Sequence, residues 1–275
     1  MSYVSQLVHL ETGQSNAALL RISGDLAQRL KVNVIGIAAR RADSTPLSEG
    51  YAMGELLQTR QRENADLLQA AQTQFRDSLE GRELALTWRE SSDFESMASY
   101  LAQQARDADL LITGLPTIGR FDAGFQVHVG DLVMQAGRPV LLIPESVSEL
   151  RLDWAMVGWN DTREARRAIV DALPLLRLAK RVHVLEIVPE HELTAAAARL
   201  DQVVAWLARH GVRADALPTA MAKDQTQQLS AIALTHGADL IVAGAYGHQR
   251  VREWVFGGVT QELLTQPPCC LLLAH

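Results

Sequence analysis

The residues of this chain best suited to chemistry are glycines. Gly244-Ala-Tyr-Gly247 is followed, after a nine-residue excursion that begins at His248, by Gly257-Gly258-Val259-Thr260. Without a Cβ, glycines let backbone N–H groups approach an anion closely. A second cluster just ahead of a helix adds that helix's free N–H groups and its positive dipole end. Thr260 adds a hydroxyl donor, and His248, Arg250 and Arg252 lie where they screen phosphate charge, although such residues are more often a solvated loop face. This chemistry is capture of phosphates. No nucleophile and base pair can be assembled from the residues, so no catalytic residue is assigned. There is no G-x4-G-K-[ST] loop, no G-x-G-x-x-G after a first strand and no spaced Cys/His set for zinc.

The elements that must carry this loop come in two copies. Ala108-Asp-Leu-Leu-Ile-Thr-Gly114 returns as Ala238-Asp-Leu-Ile-Val-Ala-Gly244, each after a helix-patterned stretch and each followed by a proline and a short apolar run, Pro139-Val-Leu-Leu-Ile and Pro268-Cys-Cys-Leu-Leu-Leu. Each half opens with an apolar strand (5–10; 155–159), then a helix (15–30; 162–178), a second strand (32–39; 181–188), a long helix (55–79; 192–210) and a third strand (83–90; 213–220). Strands alternating with helices predict right-handed crossovers and a parallel sheet covered on both faces. The expected fold is therefore α/β, with two doubly wound five-stranded domains at 1–147 and 148–275 and a boundary within 145–153. Residues 41–54 read as an irregular insertion.

The first half serves as an internal control. Its loop keeps Gly114, but Thr117 replaces the second glycine, and His128 and Val129 stand where Gly257 and Gly258 do. A β-branched residue there crowds backbone and phosphate alike. Only the second half is expected to hold a nucleotide.

Composition narrows the functional classes. A net charge of −6 gives no basic footprint for nucleic acid. The N-terminal stretch lacks the pattern of a secretory signal, and no apolar run reaches the ~18–20 residues of a membrane span. Adjacent Cys269 and Cys270, on opposite faces of one strand, are poor disulfide partners and suit a reducing cytoplasm.

With the repeat and loop in view, the sequence resembles the tandem universal stress proteins, an adenine-nucleotide-binding group of flavodoxin-like topology. Their motif, G-x2-G-x9-G-[ST], is met by Gly244, Gly247 and Gly257, while Gly258 replaces the Ser or Thr. The resemblance covers nearly the whole chain, twice. It implies a cytoplasmic stress-response role with ATP or another adenine nucleotide, with magnesium, in the second half, and at most slow hydrolysis. It also implies that Asn160 takes the place of the Asp in a V-D-G-S-like turn, and that the backbone at Val188 packs on adenine. For Asp161 and Thr162 the preferred reading is a turn and a helix cap. The last strands of the family pair across a dimer interface, which predicts pairing of Val140–Ile143 with Cys270–Leu273 in an intramolecular pseudo-dimer, with a homodimer as a further step. The alternative is a scaffold that binds a protein partner and no nucleotide.

Overall fold

The computed structural model describes residues 2–40, 52–92, 94–115, 127–222, 227–245, 263–265 and 267–275. Strands β1 (Ser5–His9), β2 (Asn33–Ala39), β3 (Leu86–Ser91), β4 (Leu110–Gly114) and β5 (Val140–Ile143) form the first half of one sheet. Strands β6 (Trp154–Gly158), β7 (Arg181–Val188), β8 (Ala214–Ala220), β9 (Leu240–Gly244) and β10 (Cys270–Ala274) form the second. The ten strands run in the order β3-β2-β1-β4-β5-β10-β9-β6-β7-β8. Within each half every pairing is parallel, and the order reverses between the first and fourth strands, at β1/β4 and at β6/β9. The halves meet through one antiparallel pairing of β5 with β10, with Leu271 opposite Leu142. The expected pairing of the last strands is thus present, and it merges the two five-stranded sheets into one.

Helices cover both faces, as a parallel sheet requires. On one face lie α1 (Ala17–Leu30), α2 (Ala52–Leu79), α5 (Arg163–Leu176) and α6 (Leu193–Arg209), sharing a core with Val8, Val34, Val157 and Val184. On the other lie α3 (Met97–Gln104), α4 (Val129–Ala136) and α7 (Gln228–Thr235), packed on Leu7, Ile35, Leu142 and Ile241. The inner strands β1, β5 and β10 are buried throughout, whereas the edge strands β3 and β8 are half-buried to exposed, with no fully buried residue. The expected insertion at 41–54 mostly falls outside the described residues; α2 begins at Ala52. Among the described residues no helix is long and apolar enough to cross a membrane.

The repeated Ala-Asp-Leu has a structural job in both halves. The Asp109 carboxylate accepts from the backbone N–H groups of Val4 and Ser5 at 2.7 and 3.1 Å, and Asp239 accepts from Asp153 N–H at 2.9 Å. Each Asp therefore ties the start of its half's fourth strand to the start of the first. Asp109→Ala is expected to lower stability by about 1–3 kcal/mol, because two N–H groups lose a charged acceptor. A urea titration should show the midpoint falling with the slope unchanged.

Cys269 and Cys270 are both buried and unpaired, and they point into the two different cores. Burial pushes the Cys269 thiol up to about 12, which removes the thiolate needed for reactivity.

Candidate functional site

Strand order reversal leaves a crevice at the carboxyl ends of β6 and β9, because the crossovers from these two strands depart to opposite faces of the sheet. Register places Gly158 beside Ala243, so Asn160 and Gly244 emerge from neighbouring strands at this crevice. The chain turns at Trp159-Asn160-Asp161-Thr162 and enters α5. Asp161 adopts a left-handed φ of 51°, a conformation that favours glycine or a short polar residue. Thr162 is the helix cap, its hydroxyl accepting from Ala165 N–H at 3.3 Å. The turn and cap expected for Asp161 and Thr162 are therefore observed.

Asn160 is exposed, and its Oδ1 accepts the Thr162 hydroxyl at 2.9 Å. That bond uses the acceptor end and leaves the amide N–H groups to donate. The side chain is thus arranged to meet an acceptor such as a sugar or phosphate oxygen. An Asp in its place would offer acceptors only.

Gly244 is required by packing as well as by any ligand. A Cβ there would lie 2.5 Å from Ala165 N and from the Glu164 carbonyl carbon, so the glycine lets the first turn of α5 rest on the end of β9. The positive end of α5 is already satisfied by its own residues. Besides the Thr162 cap, the buried Glu164 carboxylate lies in the first turn and pairs with Arg163. An anion at this crevice would have to be held from the other side, by the loop after β9. Gly247, His248, Gly257, Gly258, Val259 and Thr260 all lie outside the described residues.

Val188 ends β7, buried, with its carbonyl accepting from Met221 N–H at 2.8 Å. It stands three residues beyond Leu185, the partner of Gly158, so β7 projects past the β6 end and forms a shoulder of the crevice. The structure brings Asn160 and Gly244 together and places Val188 one strand farther out.

At the corresponding strand ends of the first half, the described side chains bond to one another. His9 Nδ1 lies 2.9 Å from Thr113 Oγ1, both buried, at the ends of β1 and β4. Burial lowers the His9 pKa to about 4, so the ring is neutral at pH 7. Arg40, just past β2, donates to Asn64 Oδ1 at 2.6 Å and to Thr12 Oγ1 at 3.3 Å, bridging the turn and α2. Asn16 staples the same turn through Glu11 N–H and Glu11 O, each at 3.0 Å. These bonds hold the Glu11-Thr-Gly13 turn in place. His128 occupies the position before α4 without a side-chain capping bond, Val129 is buried as the first residue of that helix, and Thr117 lies outside the described residues.

The sequence reading missed the His9–Thr113 pair and the role of Glu164. An acidic residue directly after a Thr cap was a visible signal for Glu164. Nothing in the sequence pairs His9 with a threonine on a distant strand.

Comparison with solved structures agrees with this fold. The chain is similar to a universal stress protein from Archaeoglobus fulgidus with a TM-score of 0.70 at 11% identity, covering 98% of this chain and 97% of that one. It is also similar to a functionally unknown protein from Pseudomonas aeruginosa, with a TM-score of 0.62 at 15% identity and coverage of 99% and 92%. These likenesses extend over both halves and show the fold. No protein-family profile and no curated protein sequence matches the chain.

Proposed function

We propose that this chain, which has the fold of a full-length universal stress protein, is a tandem member of that family with domains at 1–147 and 148–275. Its second half binds ATP or another adenine nucleotide, with magnesium, in a cytoplasmic stress response. The observation that carries this reading is the pairing at the β6/β9 reversal of an amide with free donors, Asn160, and a strand end, Gly244, from which the glycine-rich segment continues. Val188 supplies a wall. Among the described residues the first half differs, with His9 bonded to Thr113 and Arg40 to Asn64 at the ends of its strands. The β5–β10 pairing supports an intramolecular pseudo-dimer of the two halves as part of this proposal, with a homodimer of such chains as a further step.

Mass spectrometry of small molecules released from freshly purified protein tests this directly. An adenine nucleotide is expected, together with a thermal shift on adding millimolar ATP and magnesium. Asn160→Ala should weaken nucleotide binding roughly tenfold, the loss of about one hydrogen bond to a charged or polar partner. The absence of both a released nucleotide and a thermal shift would defeat the reading. A scaffold that binds a partner protein and no nucleotide is the second reading. It is favoured by the Glu164 carboxylate, a fixed negative group beside Gly244.

A further inference from the structure

The sheet ends in two edge strands, β3 and β8, and the two edges are not alike. Val34 N–H meets the Ala85 carbonyl and Arg40 N–H meets the Ser91 carbonyl, so the odd-numbered residues of β3 turn their backbone groups towards β2. Leu86, Trp88 and Glu90 therefore present theirs outward. At the other edge Val182 N–H meets Arg213 O and Met221 N–H meets Val188 O, so the outward residues of β8 are Ala214, Ala216, Pro218 and Ala220. Pro218 has no N–H to offer, and its ring stands where a further strand would lie. Register places Pro218 beside Glu186 and Glu90 beside Ala38, which are equivalent positions of the two halves. At this one position a proline closes the β8 edge and a glutamate leaves the β3 edge open. Among the described residues no strand pairs with β3 on its outer side.

An open edge is a template for another strand. If that strand belongs to a second copy of this chain, it must be β3 again, because Pro218 obstructs β8. Like edges meet about a two-fold axis, which closes the assembly at two chains, whereas β3 on β8 would extend without closing. Antiparallel pairing centred on Trp88 uses all the outward residues of both copies. Trp88 then faces Trp88 and Leu86 faces Glu90, each pair exchanging both backbone bonds, and Thr87 faces Arg89 between them. No like charges stand opposite one another in this register, whereas centring on Arg89 would set two guanidinium groups face to face. Leu86, a large apolar side chain left 37% exposed, and the half-buried Trp88 ring gain cover from the partner strand.

We infer that two copies of this chain pair through their β3 edges and join their ten-stranded sheets into one. This gives the homodimer step of the proposed function its interface. It rests on the sheet edge and needs no nucleotide, so loss of nucleotide binding and loss of association are separate results.

Sedimentation equilibrium of the full-length protein tests the pairing. A single monomer–dimer equilibrium is expected, with the mean mass rising towards two chains as concentration reaches the order of 100 μM. Glu90→Pro copies into β3 the residue that β8 carries at the same ladder position, and it removes no bond to β2, whose partners are the odd-numbered residues. It should weaken association roughly tenfold or more, whereas Glu90→Gln, which keeps the backbone N–H, should associate as the wild type does. Hydrogen exchange needs no variant and reads the interface even if the proline impairs folding. The amides of Leu86, Trp88 and Glu90 should be protected at high protein concentration and exchange freely at low. The inference is overturned by a chain that stays monomeric, by oligomers that grow beyond two, by association that Glu90→Pro leaves unchanged, or by exchange at these three amides that ignores concentration. Association through another surface leaves the homodimer step standing and overturns this interface alone.

Discussion

Gly244→Ala is expected to lower stability by about 3 kcal/mol in the absence of any ligand, because the added Cβ collides with backbone and not with a movable side chain. Its nearest neighbours are Ala165 N and the Glu164 carbonyl carbon at 2.5 Å, in a helix turn already anchored by the Thr162 cap. Relief requires α5 to slide away from β9, which opens the core around Ala165, Ala168 and Val242. Gly114→Ala is the matched control. There the nearest atom is Glu11 Oε1 at 3.8 Å, and the change should stay within about 0.5 kcal/mol. Urea denaturation followed by tryptophan fluorescence suits the comparison, because of the five tryptophans only Trp88 lies in the first half. Equal stability of the two variants would refute the packing role. The same contact means that a bulky residue at Gly244 perturbs folding before it reports on nucleotide binding, so Asn160→Ala is the cleaner test of the crevice.

Acidification is expected to weaken the protein through His9 by about 3 kcal/mol between pH 6.5 and pH 4. In the unfolded chain this imidazole takes up a proton near pH 6.5. In the folded protein burial lowers that value to about 4. Above pH 6.5 the ring is neutral in both states and adds no pH dependence. Between the two values the unfolded chain binds a proton that the folded one refuses, and stability falls by about 1.4 kcal/mol for each pH unit. Carboxylates also titrate in acid, so the His9 share is the difference between the wild type and His9→Gln, whose amide can still bond Thr113 without ionising near this pH. Urea midpoints at pH 7, 6, 5 and 4.5 should diverge, with the wild type losing more. Superimposable profiles would remove His9 as the cause.

The two glycines of the repeat show how far a sequence can be read. Gly114 and Gly244 occupy equivalent places in the Ala-Asp-Leu strands, and from the sequence both read as ends of strands opening into a loop. Their distinct demands come from what packs on them, a side-chain oxygen at ordinary contact distance in one half and a helix backbone in the other. Likewise Asn160 was legible as a polar residue at the turn, but not that Thr162 would claim its acceptor and leave its donors. The Asp of the repeat marked the motif without revealing that it ties strand starts together.

The sequence by itself determined the duplicated order of strands and helices, the two-faced burial of the inner strands and the asymmetry of the glycine loops. These are local patterns, set by the period of apolar residues and by the backbone freedom of particular positions. The pairing of Val140–Ile143 with Cys270–Leu273 was expected from resemblance, and the tertiary structure makes it the seam that turns two sheets into one of ten strands. Tertiary structure alone decided which side chains meet near each crevice. His9 meets Thr113 across 104 residues, Arg40 reaches Asn64, and Glu186 meets Arg199 where register places Ala38 in the first half. Such pairings depend on crossover geometry and side-chain reach between distant segments, and no local periodicity encodes them.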